Sequence, residues 1–245
     1  MSRFYIPPHL WNPDKLALDP SESHHALDVL RLKEGDRVTV FNGAGSEATA
    51  EITSAKKDAL TLRKVQVSKS APLSCEITLA QAVPKGKNME FIIEKATELG
   101  ARAIAPLLSE RTIFQADAEE ALKKKQKWQR VAIEACKQCG QNWLPELQTP
   151  LTPKAFFESG QKFDLMLIAS LQPDARHLKQ VLGEFGAAKP RRVLVLVGPE
   201  GDFTPAEISL AKSHGCRPVT LGPIILRTET AALYCLSVLS HELFA

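Results

Sequence analysis

Apolar residues recur along this chain in two rhythms. Within the first seventy residues they alternate with polar ones, at 37–41, 48–53 and 60–67, which is the period of strands that bury one face. Asn42-Gly43 between the first two runs predicts a hairpin. Residues 4–6 predict another short strand. In the run 60–67 the apolar members are Leu60, Leu62, Val65 and Val67, and the phase change at Arg63-Lys64 predicts a bulge or bend. Asp19-Pro20-Ser21-Glu22 predicts a helix start, with Asp19 as cap and Pro20 at the first helical position. Several short strands and one helix predict a small β-barrel.

After residue 72 the strands become predominantly apolar runs, at 77–83, 103–108, 164–169, 193–197 and 219–221, as strands covered on both faces do. Helical patterns separate them: 89–99, 119–138, from about Pro173, from Thr204, and from near Thr228 or Thr230. Thr204-Pro205-Ala206-Glu207 has the form of a capping box. Pro106 predicts an irregular course late in its strand. The alternation predicts an α/β domain with a parallel sheet. The polar stretch 68–74 is the best linker, which places the domains at 1–72 and 73–245.

The last quarter concentrates the candidate chemistry. Residues 193–197 run into Gly198-Pro199-Glu200-Gly201, and residues 219–221 run into Gly222-Pro223. Glycine-bearing loops at the carboxyl ends of parallel strands are where an α/β sheet binds a ligand. The polar groups placed there are Glu200, Arg227, Thr228, Glu229 and Thr230.

Composition narrows the choices. The chain has 245 residues, 44% of them hydrophobic and 24% charged, and a net charge of +3. These values suit a soluble globular protein and permit a nucleic-acid partner only if the basic residues cluster. No run approaches the roughly 18 apolar residues of a membrane span, and residues 1–11 lack an apolar signal segment, so a cytoplasmic protein without a membrane partner is expected. The five cysteines show no disulfide framework. Cys136 and Cys139 lack the second ligand pair a zinc site needs, so no metal is expected. No G-x-G-x-x-G follows an early strand, which weighs against a dinucleotide enzyme.

GPEGDF (198–203) followed by LGPIILRTETA (221–231) resembles the signature of the SPOUT-class RNA methyltransferases, and within that class the RsmE family, which methylates N3 of a uridine in small-subunit ribosomal RNA. HHALDVLRLKEGDRV (24–38), KGKNMEFIIEKATELGA (85–101), ERTIF (110–114) and WQRVAIEACKQCGQNWLPEL (128–147) support the resemblance, which covers nearly the whole chain. It implies a PUA-like RNA-binding barrel, then a SPOUT domain with a C-terminal trefoil knot. It also implies a homodimer, S-adenosyl-L-methionine as cofactor and 16S ribosomal RNA of the small subunit as substrate. Carried over by motif, the cofactor loops are Leu196, Val197, Gly198, Pro199, Glu200 and Gly201, then Leu221 and Gly222, then Leu226, Arg227, Thr228, Glu229, Thr230 and Ala231. Candidate RNA contacts are Arg3, His24, His25, Arg31 and Lys33 in the first domain, and Lys85, Lys87, Arg111 and Arg130 in the second. The helix at 119–138 carries five lysines besides Arg130, as either a solvated or a phosphate-tracking face.

Arg227 is assigned to anion stabilisation or phosphate orientation, and Glu229 or Glu200 to proton acceptance, from their positions on the two loops. Helix capping competes as the role of Glu229. The chain departs from the family pattern at Asp202, where Gly is usual, at Ile224 and Gln141, where Arg is usual, and at Lys87-Asn88, which replaces Asp-Arg. Alternative readings are a SPOUT enzyme acting on another RNA or base, a non-catalytic RNA-binding or ribosome-assembly module, and an α/β enzyme using another nucleotide-like ligand.

Overall fold

A computed structural model of the chain describes residues 1–56, 59–114, 117–186 and 188–244. By its packing the chain divides into two compact units, Met1–Pro72 with Ile133–Leu144, and Leu73–Ala132 with Pro145–Ala245. Residues 133–144, placed by sequence in the second domain, therefore pack with the first unit.

The first unit contains strands β1 (Arg3–Tyr5), β2 (Leu16–Ala17), β3 (Arg37–Phe41), β4 (Ser46–Lys56) and β5 (Ala59–Lys69), and helix α1 (Pro20–His24). The sheet order is β1-β3-β4-β5-β2, curled into a half-barrel whose edge strands are β1 and β2. Phe4, Val38, Val40, Ala50, Ile52 and Leu60 fill its core. The inward face of β3 and β4 follows the alternation read from the sequence, because a strand with one buried face needs an apolar residue at every second position. Asp19 caps α1 by accepting from the Glu22 amide at 2.8 Å. After His24 the helix widens into a π-helical stretch, His25–Val29.

Two expectations change here. The hairpin loop runs over residues 42–45, with Asn42 Oδ1 accepting from the Ala44 and Ser46 amides at 2.8 and 3.0 Å. The bulge falls at Val65: Thr49 pairs with Gln66 and Ala50 with Lys64. The extra residue is turned out of the ladder, so Val65 is 48% exposed rather than buried, and Val67 beyond it is 43% exposed.

In the second unit, β6 (Glu76–Ala82), β7 (Ala103–Leu107), β8 (Glu146–Leu147), β9 (Leu165–Ala169), β10 (Arg176–His177), β11 (Arg192–Val197) and β12 (Arg217–Thr220) form one sheet. Its order is β10-β12-β9-β11-β6-β7-β8, and every pairing is parallel. Helices α2 (Asn88–Glu98), α4 (Pro153–Glu158), α5 (Leu178–Gly183), α6 (Pro205–Ser213) and α7 (Thr228–Leu243) belong to this unit. Helix α3 (Ala118–Cys139) begins in it and ends in the first. On α2 the residues Met89, Ile92, Ile93 and Ala96 are buried, as their spacing requires. Pro106 leaves β7 regular to Leu107: it lacks only a donor, its carbonyl still accepts from the Leu151 amide at 3.1 Å, and the Leu108 amide bonds the Leu151 carbonyl at 2.8 Å. The helix expected from Pro173 starts at Leu178; residues 176–177 instead pair with β12. All five cysteines are free, and burial pushes the Cys136 thiol up to about 12.

Lys137, read as part of a basic helix face, is turned into the first unit. Its ammonium meets Glu22 at 2.5 Å and Glu134 at 2.7 Å, with side-chain exposures of 9% for Lys137 and 12% for Glu22. Burial pushes the Glu22 carboxyl above its ordinary range despite the lysine. Removing the cation strands that carboxylate, a loss of about 3 kcal/mol for a broken buried pair. We expect Lys137→Met to destabilise the protein by that order at pH 7 in urea unfolding. A carboxyl with a raised folded pKa stabilises at low pH and loses that contribution as pH rises through the raised value. The gap between variant and wild type should therefore narrow as pH falls from 7 to 5.

Candidate functional site

Strand β9 lies between β11 and β12, so three carboxyl ends open side by side. Around them is a cavity of about 300 Å³. It is lined by Ala169, Ser170 and Leu171 after β9, by Val197, Gly198, Pro199, Glu200 and Asp202 after β11, and by residues 220–222 and 224–228 with Ala231 after β12. Both glycine-bearing loops singled out from the sequence thus reach one site. Of the predicted loop residues, Leu196 is buried inside β11, Gly201 packs against the Arg111 side chain, and Glu229 and Thr230 fall outside the lining.

The wall is braced from beneath. Gln81, fully buried on β6, donates from Nε2 to the Ala82 carbonyl at 2.9 Å and to Thr228 Oγ1 at 2.9 Å. Thr228 Oγ1 in turn donates to the Gly198 carbonyl at 2.6 Å. The first residue of α7 is thereby tied to the loop after β11 through an amide on the next strand. Loops past the ends of a ladder lose their regular partners, and these bonds replace them for Gly198.

The turn after β11 explains one departure from the family pattern. The Asp202 amide donates to the Pro199 carbonyl at 2.9 Å, and Asp202 has φ of 61°. Glycine takes that left-handed conformation freely; aspartate tolerates it by bonding locally, here with Oδ1 accepting from the Phe203 amide at 2.7 Å. Gly222 has φ of 132°, where any Cβ would strain the backbone although the space beside it is open. Helix α6 begins as its sequence dictates: Thr204 Oγ1 accepts from the Glu207 amide at 3.3 Å, and Glu207 Oε2 accepts from the Thr204 amide at 2.9 Å. Glu207 Oε1 also accepts from the Glu110 amide at 2.9 Å. That contact fixes the loop carrying Arg111, whose guanidinium donates to the Gly201 carbonyl. Glu200 Oε1 accepts from the Lys85 amide at 3.0 Å, which joins the loop after β6 to the cavity rim.

The remaining basic candidates are spread more widely. Lys85, Lys87, Arg111 and Arg130 are exposed in the second unit. In the first unit Arg31 and Lys33 are exposed on the loop after the π-helical stretch, while His24 bonds Asp28 at 2.6 Å and His25 packs edge-on against Phe4. Arg3 is turned inward. Its guanidinium pairs with Glu47 at 2.9 Å, donates to Asn142 Oδ1 and lies 4.5 Å from the Phe41 ring centre. Gln141, where the family pattern has Arg, accepts from the Trp143 amide at 3.1 Å.

Sequence reasoning missed Ala169, Ser170 and Leu171, because nothing local says which strand stands between the two glycine loops. It also missed Gln81, although a lone amide in the apolar run 77–83 was a usable signal. Thr228→Ala leaves the Gln81 Nε2 and the Gly198 carbonyl without their shared partner. We expect a loss of about 1–3 kcal/mol in urea unfolding, the cost of unsatisfied buried polar groups.

Residues 71–240 match the family described as RNA methyltransferase domain, and residues 18–65 match the RNA methyltransferase PUA domain. A relative from Bacillus subtilis, ribosomal RNA small subunit methyltransferase E, is 32% identical over 224 residues, covering 90% of this chain and 88% of the relative. A protein from Legionella pneumophila, solved in complex with the bound cofactor SAM, is 37% identical with a TM-score of 0.88, covering 98% of this chain and 96% of that one. The ribosomal RNA small subunit methyltransferase E of Neisseria gonorrhoeae, bound to S-adenosyl methionine, is 31% identical with a TM-score of 0.86, covering 98% and 97%. With its family domain matched over more than half its length and its relatives aligned nearly end to end, the chain belongs to the ribosomal RNA small subunit methyltransferase E family of RNA methyltransferases.

Proposed function

We propose that this protein transfers a methyl group from S-adenosyl-L-methionine to N3 of a uridine in 16S ribosomal RNA of the small ribosomal subunit. The observation that carries this reading is the single cavity at the carboxyl ends of β9, β11 and β12, lined by both signature loops. Its chemistry suits the cofactor. Leu171, Val197, Ile225 and Leu226 supply apolar wall for a flat purine. Among the described residues, the Leu221 and Leu226 amides have no protein acceptor, so they are free to read a ring edge. When bound, S-adenosylmethionine supplies an electrophilic methyl group on a sulfonium.

This chain's own residues would then do three things. The loops 197–200 and 221–228 hold the donor in line with the acceptor, which is the main catalytic contribution to a displacement of this kind. Arg227, exposed at the cavity, stabilises the negative charge that develops on O2 and O4 as uracil N3 loses its proton. Glu200 is the better placed proton acceptor, because it lines the cavity and Glu229 does not. Glu229 instead stands in the first turn of α7, where a carboxylate offsets the helix dipole. Arg31 and Lys33 of the first unit, with Lys85, Lys87, Arg111 and Arg130 of the second, hold RNA phosphates. The same reading includes a trefoil knot in the C-terminal segment, supported by the convergence of the loops after β9, β11 and β12, and a cytoplasmic homodimer.

Tritium transfer from S-adenosylmethionine to isolated small ribosomal subunits, followed by nucleoside analysis, tests the activity. Label recovered only in transfer RNA would move the substrate elsewhere, and an absence of heat on titrating S-adenosylmethionine would make the protein a binding module. For the roles, we expect Arg227→Ala to lower the rate about 10²-fold or more, and Glu200→Gln by about 10²-fold, while Glu229→Gln changes it little. A wild-type rate in both of the first two variants removes those assignments.

A further inference from the structure

A second cavity of the same unit, about 340 Å³, opens at the carboxyl end of β6. Its apolar lining comes from Val83, Met89, Ile113, Phe114 and Trp128. Trp128 is 3% exposed and closes the floor, whereas Ile113 is 70% exposed and forms a lip. The Phe114 and Trp128 rings lie 6.4 Å apart at 60°. An isoleucine so exposed beside an aromatic slot is apolar surface left open by the described residues.

The rim is cationic. Lys85, Lys87 and Lys124 all border the opening, and the Lys124 ammonium sits 5.5 Å from the Phe114 ring centre. Among the described residues none of these three lysines pairs with a carboxylate. The one acidic residue of the lining, Glu90, is engaged by Lys127. An apolar, aromatic slot under a rim of ammonium groups complements a ligand with a flat face and a negative tail. A nucleotide of a single strand has that form: the base takes the slot and its phosphates take the rim. The position agrees. Lys85, on this rim, donates its backbone amide to Glu200, which lines the first cavity.

We propose that this second cavity is a nucleotide subsite, which receives a base extruded from the substrate RNA strand next to the reacting uridine. The idea rests on the methyltransferase reading in that RNA is the shared substrate. An enzyme that acts on a ring nitrogen must take its target out of the stack, and a neighbouring base lodged in a slot of its own would hold the strand in that opened form. Phe114 and Ile113 contact the base, while Lys87 and Lys124 hold the flanking phosphates.

The test uses the full-length protein and a fluorescein-labelled, uridine-rich single-stranded oligoribonucleotide, read by anisotropy at low salt. Phe114→Ala should weaken binding about tenfold, as loss of one stacked base does. Lys87→Ala/Lys124→Ala should weaken it further and flatten its salt dependence. Calorimetric affinity for S-adenosylmethionine should stay within twofold of wild type in both variants, which separates loss of the subsite from loss of the fold. RNA affinity unchanged within twofold in both variants, or no RNA binding by the wild type, overturns the subsite. If the wild type binds no S-adenosylmethionine yet the variants lose RNA, the subsite stands and the methyl-transfer reading falls.

Discussion

The site depends on a buried amide. Gln81 is the polar member of an apolar strand, and its Nε2 reaches the Thr228 hydroxyl, which reaches the Gly198 carbonyl. Those three residues belong to three segments far apart in sequence. A sheet cannot supply this order itself, since its ladder stops where the strands stop. Side chains buried beneath the loops must finish the hydrogen bonding, and once they do, the loops hold one shape. Removing water strengthens each of those bonds and penalises any rearrangement that breaks one. The cavity is therefore preorganised by Gln81, which does not line it, acting through Thr228 and Gly198, which do.

A second layer of fixing surrounds the first. Glu207 closes the capping box of α6 and holds the Glu110 amide, so one carboxylate sets both a helix start and a loop. Arg111 then covers Gly201, and Glu200 bonds the Lys85 amide. The acidic residue proposed to take a proton is thus held by the loop that borders the adjoining slot. Movement of a strand of RNA into that slot would be felt at Glu200 through one hydrogen bond. The two cavities are joined at Lys85, whose amide bonds Glu200.

Much of the second unit was legible in the chain. The five apolar runs became strands, Met89, Ile92, Ile93 and Ala96 became the buried stripe of α2, and Thr204-Pro205-Ala206-Glu207 became a capping box with both of its bonds. These are local or periodic features, decided within a few residues. The misreadings all have a non-local cause. Val65 fell on the apolar side of its run until the bulge beside it turned it out, Lys137 lay on a face read as solvated or phosphate-tracking until Glu22 met it, and Pro106 looked disruptive until its carbonyl was seen to meet the Leu151 amide.

By itself the sequence determined that two glycine-bearing loops would follow parallel strands, and that Glu200, Arg227 and Thr228 would stand on them. Proline, glycine and capping residues act on their own stretch of backbone, so their consequences can be read in place. Only the tertiary structure decided that β9 lies between β11 and β12, that Ser170 and Leu171 join the wall, and that Gln81 braces it. Strand order is set by how helices and strands of the whole unit bury their apolar faces together, and no single segment carries that information. For the same reason, the lysines at 85, 87 and 124 became one rim only when the loop after β6 and helix α3 met around the Trp128 slot.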